Sequence, residues 1–179
     1  GSRLWRGAGG QQLVARRAAG ERRKMEKGLG GAGENQPPYP PYQGGGNVLD
    51  IWIVARLKQL ISEVTLNMKG YNIPKATRPI SEFINDLSVW YLRRSRDRFK
   101  SDDKSDKQAA LATTKFILEE LALIIAPVMP FLAEQIWQKV AGGNFKDENN
   151  SVHLKEWPGI DELTKDEVEV LKNMTEVRK

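Results

Sequence analysis

The sequence predicts an all-α protein, an antiparallel helical bundle over residues 47–179 behind a disordered leader over residues 1–46. Three observations carry this. Apolar residues recur at steps of three and four in successive segments after Asn47, the spacing of one helix face. The segments are separated by short breaks rich in Gly, Pro, Ser and Asp, as between helices folded back on one another. Before Asn47, glycine recurs throughout and large apolar residues are few, so little burial offsets the entropy of ordering.

The leader contains Pro37-Pro38-Tyr39-Pro40-Pro41-Tyr42 and Gly44-Gly45-Gly46, which suit neither a helix nor a central strand. It reads as a linker first, and second as a Pro-Tyr ligand for aromatic grooves. It also holds eight Lys/Arg against three Asp/Glu, whereas residues 47–179 hold twenty of each sign. The net charge of +5 therefore sits wholly in the leader, and RNA binding by the body would need local clustering of charge. No cysteine is present, which excludes disulfides and cysteine zinc sites and fits a cytoplasmic protein. No uninterrupted apolar window is long enough for a membrane helix.

Asn47 is placed to cap the first helix and Gly70 to stop it, with Leu49, Ile53, Leu57, Leu60, Val64 and Met68 inward. The second helix follows Ile73, with Pro74 in its first turn and Pro79 placed to kink or restart it. Ile80, Phe83, Ile84, Leu87, Trp90 and Tyr91 supply its buried face. After a polar turn over residues 101–105, Ser105 caps a third helix with Leu111, Thr114, Leu118, Leu121, Ile125 and Val128 inward. This is the most apolar element, hence the expected centre of the core. Pro127 ends it. Pro130 opens a fourth helix, with Leu132, Ile136 and Val140 inward and Gly142-Gly143 as the stop.

Residues 151–158 read as short and extended. Thr164 and Glu167 have the spacing of a capping box at the start of a fifth helix. Its stripe of Val168, Leu171 and Met174 is still running near Lys179, so a domain truncated at its C-terminus is expected.

The most informative stretch is Trp90-Tyr91-Leu92-Arg93-Arg94-Ser95-Arg96-Asp97-Arg98-Phe99. At about 100° per residue, Arg94 and Arg98 continue the arc of Phe83 and Leu87, while Arg93, Arg96 and Lys100 turn outward. Arg93 and Asp97 have i, i+4 spacing and can pair. Two readings stand. The arginines can complement the helix dipole and pair with neighbouring carboxylates. Alternatively, with Trp90 and Tyr91, they form a basic and aromatic surface suited to RNA backbones and bases.

Four segments in order favour the second. Asn47-Val-Leu-Asp-Ile-Trp-Ile-Val-Ala-Arg-Leu57, the stretch from Phe83 to Phe99, Ile125-Ala-Pro-Val-Met-Pro-Phe131 and Ser151-Val-His-Leu-Lys-Glu-Trp-Pro158 resemble the helical anticodon-binding domain of class I aminoacyl-tRNA synthetases. Among these, the resemblance is greatest to the isoleucine enzymes, and it covers residues 47–179. It implies a tRNA-binding part of an ATP-dependent isoleucine–tRNA ligase, with tRNA, the isoleucine acceptor, as partner and a monomeric state. The implied contacts are Arg94 and Arg98 first, with Trp90 stacking on a base or packing beneath them. Tyr91, Arg93, Arg96 and Lys100 follow, and Trp52 and Arg56 on the first helix are weaker candidates. The rival is a structural or protein-interaction bundle that binds no RNA.

Catalysis is not expected of these residues alone. The family's His-Ile-Gly-His motif is absent, since His153 is the one histidine and is read as structural. Lys24-Met25-Glu26-Lys27-Gly28-Leu29-Gly30 is a faint echo of the Lys-Met-Ser-Lys-Ser loop, with a carboxylate in place of one serine. Lys24 and Lys27 are thus weak candidates for phosphate contact. No cofactor is expected here, and ATP and Mg are implied for the parent enzyme.

Overall fold

A computed structural model describes residues 47–142, 150–159 and 162–178, and the expectations for residues 1–46 lie outside them. Asn47 caps α1 (Val48–Lys69) by accepting the Leu49 amide on its side chain at 3.0 Å. Gly70 is the C-cap, but it is Tyr71 that adopts the left-handed conformation, at φ 54°. The Tyr71 amide donates to Met68 O and the Asn72 amide to Asn67 O, a Schellman ending without glycine at the strained position.

Asn72 caps α2 (Ile73–Asn85), which runs through Pro79 without restarting. The same rod continues as a π-helical segment, Asp86–Leu92, where the Arg93 amide reaches back five residues to Ser88 O. A turn at Ser95 leads into the short α3 (Arg96–Lys100). The cap of α4 (Lys104–Ile125) is Asp103, not Ser105, because the Asp103 carboxylate accepts the Ser105 and Asp106 amides. Pro130 opens α5 (Pro130–Val140), and Gly142 follows it at φ 72°. The segment over residues 151–158 is not extended throughout. It begins with a 3-10 turn, Val152–Leu154, anchored where Glu134 on α5 accepts from Ser151 Oγ and the Val152 amide. Trp157 Nε1 then donates to Thr65 on α1 at 2.8 Å. Thr164 and Glu167 form the expected capping box of α6 (Lys165–Val177).

Among the described residues the fold is an all-α bundle. Its hub is α1, which packs against α2, α4 and α6, rather than the third predicted helix. Trp52, Ile53, Val54 and Ala55 are consecutive and all buried, so α1 is covered on nearly every side. By contrast α4 is buried all round only in its second half, where Glu120 to Ile125 are all enclosed. Three-residue and four-residue connections turn α2 back on α1 and α5 back on α4.

Two inward stripes differ from expectation by one residue. In the first half of α4 the buried positions are Ala110, Thr113 and Ile117 while Leu111 is exposed; Leu121 and Ile125 are buried as expected, and Val128, beyond the helix, is exposed. Small residues line the first half of that face because Tyr91 lies against it, its hydroxyl reaching Ala110 O at 3.4 Å. On α5, Ala133 and Trp137 point inward and Leu132 outward. Ile136 and Val140 are half-buried. No described helix is long and apolar enough to cross a membrane.

Candidate nucleic-acid interface

The π segment decides which arginines reach solvent. Each i→i+5 bond adds a residue to the turn, so the inward positions on this rod are Phe83, Leu87, Tyr91 and then Ser95, in steps of four. A uniform α-helix would have brought Arg94 inward. Instead Arg94 is exposed, as are Arg93, Arg96 and Lys100. Arg93 and Asp97 form no ion pair with each other.

Arg98 alone of the five cations in residues 93–100 turns in. Its Nη1 and Nη2 donate to the two carboxylate oxygens of Asp50, each at 2.8 Å. Its Nε donates to both oxygens of Asp106, at 2.8 and 3.0 Å. One guanidinium thus ties α3 to the first turns of α1 and α4. Asp50 is wholly buried and also accepts the Tyr91 hydroxyl at 2.7 Å. Burial first, and then the Asp50 bond, push the Tyr91 phenol far up, so it stays a donor. Hydrogen bonding from Arg98 holds the Asp106 carboxyl below its ordinary value.

Two residues expected at an RNA surface are therefore enclosed. Tyr91 is 0% exposed and Trp52 1%, which leaves neither ring free to stack on a base. Tyr91 is held by its hydroxyl, and Trp52 lies in the wholly covered stretch of α1. Arg98 is largely covered for the reason given above. Arg56 is half-buried and spends its Nε on Asp86 at 3.0 Å and its Nη1 on Gln59 at 2.7 Å. Internal pairing, the structural alternative, describes the geometry of Arg98 and Arg56.

Trp90 behaves differently. It is partly exposed, and the Arg94 guanidinium lies over its ring at 4.5 Å from the centroid. The result is an aromatic and basic edge built on a short turn whose base is clamped by Arg98. Arg93, Arg94, Arg96 and Lys100 outnumber the single carboxylate of the turn, Asp97, by three charges. Lys24 and Lys27 lie outside the described residues. Among the described residues, no group of His, Asp and Glu is gathered as metal ligation requires.

A family profile described as the anticodon-binding domain of tRNA ligase matches residues 50–179. The chain belongs to this family. The anticodon-binding domain here is 41% identical over 117 residues to an isoleucine–tRNA ligase of Clostridium tetani, covering 65% of this chain and 11% of that protein. It is 40% identical over 121 residues to one of Thermus thermophilus, covering 66% and 12%. Against one of Clostridium kluyveri it is 38% identical over 134 residues, covering 74% and 13%. The matched part is thus about an eighth of each relative's length.

Sequence reading of the anticodon-binding domain missed Asp50, Asp86, Asp106 and Arg178. A signal existed for two of them. Asp50, Ile53, Leu57, Leu60 and Val64 step by three and four, as do Asp106, Ala110, Thr113, Ile117 and Leu121. Each stripe begins with a carboxylate in the phase of the core, the mark of an acid awaiting a cation, wholly buried at Asp50 and part-exposed at Asp106.

Proposed function

We propose that this domain grips the anticodon stem and loop of a tRNA, the isoleucine acceptor, as part of a longer isoleucine–tRNA ligase. The observation that carries the reading is the Arg94 guanidinium lying over the partly exposed Trp90 ring, beside the exposed Arg93, Arg96 and Lys100. Such a surface offers charge to phosphates and a flat face to an unpaired base. Arg98, Tyr91 and Trp52 act from beneath it, as positioning residues. The name of the relatives supports isoleucine as the amino acid. On this reading ATP, Mg and adenylate chemistry belong to other parts of the ligase. The absence of cysteine fits work in a reducing cytoplasm.

Competition tests the specificity. An isoleucine-acceptor transcript bound to the 179-residue chain should be displaced by its own anticodon hairpin more readily than by a hairpin of unrelated anticodon. Equal displacement by both would leave general RNA affinity and remove the anticodon assignment.

A further inference from the structure

Arg94 is not the only cation on Trp90. The Arg178 guanidinium, at the end of α6, lies 5.3 Å from the Trp90 centroid and 5.7 Å from that of Trp52. The guanidiniums of Arg94 and Arg178 are therefore within about 10 Å of each other, close to the ~8 Å screening length at physiological salt. Their fields overlap across one indole.

Arg178 stands at a cleft of about 300 Å³ between α1 and α6, whose polar lining is Arg56, Gln59, Lys172, Thr175 and Arg178. Three of these are cations, and no carboxylate lines the cleft. Asp86 pairs with both Arg56 and Arg178, so one buried negative charge faces two positive ones. Arg56 bonds through Nε and Nη1, and Arg178 bonds Asp86 through Nη2. Arg56 Nη2 and Arg178 Nη1 and Nε take no part in these bonds, and Lys172 forms no ion pair among the described residues. The carbonyls ending α6 oppose an anion with roughly half a charge, which the two positive charges left after Asp86 is counted outweigh.

We infer that this cleft is a second phosphate subsite of the RNA surface, holding one backbone phosphate between Arg56, Lys172 and Arg178. The inference rests on the tRNA reading above and extends its surface from the arginine turn, across Trp90, to α6. A phosphate there accepts donors that the Asp86 pairings leave over, so binding breaks no internal bond. Neither Lys172 nor Arg178 is needed to clamp the turn, which Arg98 holds.

The test uses the full chain carrying Lys172→Gln alone, Lys172→Gln with Arg178→Gln, or Arg94→Gln with Arg96→Gln. Affinity for the tRNA transcript is measured across salt concentrations, and thermal melts confirm folding. All variants keep the same leader, so its contribution cancels. The Lys172/Arg178 pair should flatten the log–log salt slope by roughly 0.7–0.9, the share of one phosphate, with Lys172→Gln giving part of that. Lys172 is exposed, so its single variant reads the site even if the pair unfolds. An unchanged slope here with a flattened slope for Arg94/Arg96 overturns the cleft and leaves the tRNA reading standing. Unchanged slopes in both overturn both. Inorganic phosphate at constant ionic strength separates the remaining source. If it raises Tm through Lys172 and Arg178 while the RNA slope stays put, the cleft is a free-anion site and the inference fails.

Discussion

Arg98 and Asp50, forty-eight residues apart in sequence, meet as a two-pronged pair with both bonds at 2.8 Å and the carboxylate wholly enclosed. A buried carboxylate is costly unless its lone pairs are filled, and here Arg98 and Tyr91 fill them. Removing the cation strands the anion. Arg98→Met should therefore cost about 3 kcal/mol in urea unfolding, and an unchanged midpoint would contradict the clamp.

Tyr91→Phe removes the hydroxyl that donates to Asp50 and keeps the ring that fills the core. A loss of about 1–2 kcal/mol is expected, smaller than for Arg98→Met because the guanidinium still neutralises the carboxylate. Chemical denaturation of the two variants side by side checks the order, and a larger loss for Tyr91→Phe would refute it.

Part of this architecture is written in local sequence and part is not. The helices, the Asn47 cap, the Thr164 capping box and the all-α class followed from local chemistry: side-chain caps and three-four spacing are written in adjacent residues. Placement of Arg94 did not follow, because a π segment shifts phase through backbone bonds that no residue type in Asp86–Leu92 announces. The stripes of α4 and α5 are offset from the large apolar residues, since Leu111 and Leu132 face outward. At Ala110 and Ala133 a small residue holds the enclosed position instead, at Ala110 against Tyr91. Arg178 and Asp86 meet across ninety-two residues, a contact that only the packing of α6 creates.

Tyr71 holds a left-handed conformation that glycine adopts freely, and its side chain is almost fully exposed. Tyr71→Gly should stabilise the chain by about 0.5–1 kcal/mol, the relief of strain exceeding the added entropy of the unfolded state. Thermal unfolding tests this, and a lower Tm would argue against strain at the end of α1.

Acid should loosen the bundle at identifiable joints. Asp106 is held low by the Arg98 hydrogen bond. Glu134 and Glu167 are each pushed up by partial burial, but hydrogen bonds outweigh it. These come from Gln138, Ser151 and Val152 to Glu134, and from Thr164 and Lys58 to Glu167, so both end below their ordinary value. A depressed folded pKa gives stability that is complete above the unfolded value, near 4, and is lost as pH falls through the folded value. Glu119, raised by burial, contributes with the opposite sign but is a single group. Tm should thus fall steeply below about pH 4, and the fall should be shallower in Glu134→Gln. Identical acid limbs in the two proteins would count against the Glu134 anchor.

The central claim divides the arginine turn into cations that face RNA and one that holds the turn. The most direct measurement is the salt dependence of tRNA affinity for Arg94→Gln with Arg96→Gln, beside the thermal stability of the same protein. The account predicts a slope flattened by about one to two with Tm nearly unchanged, since both side chains are exposed. A full slope together with a collapsed Tm would contradict it, making these arginines structural and leaving the tRNA contact to be sought elsewhere.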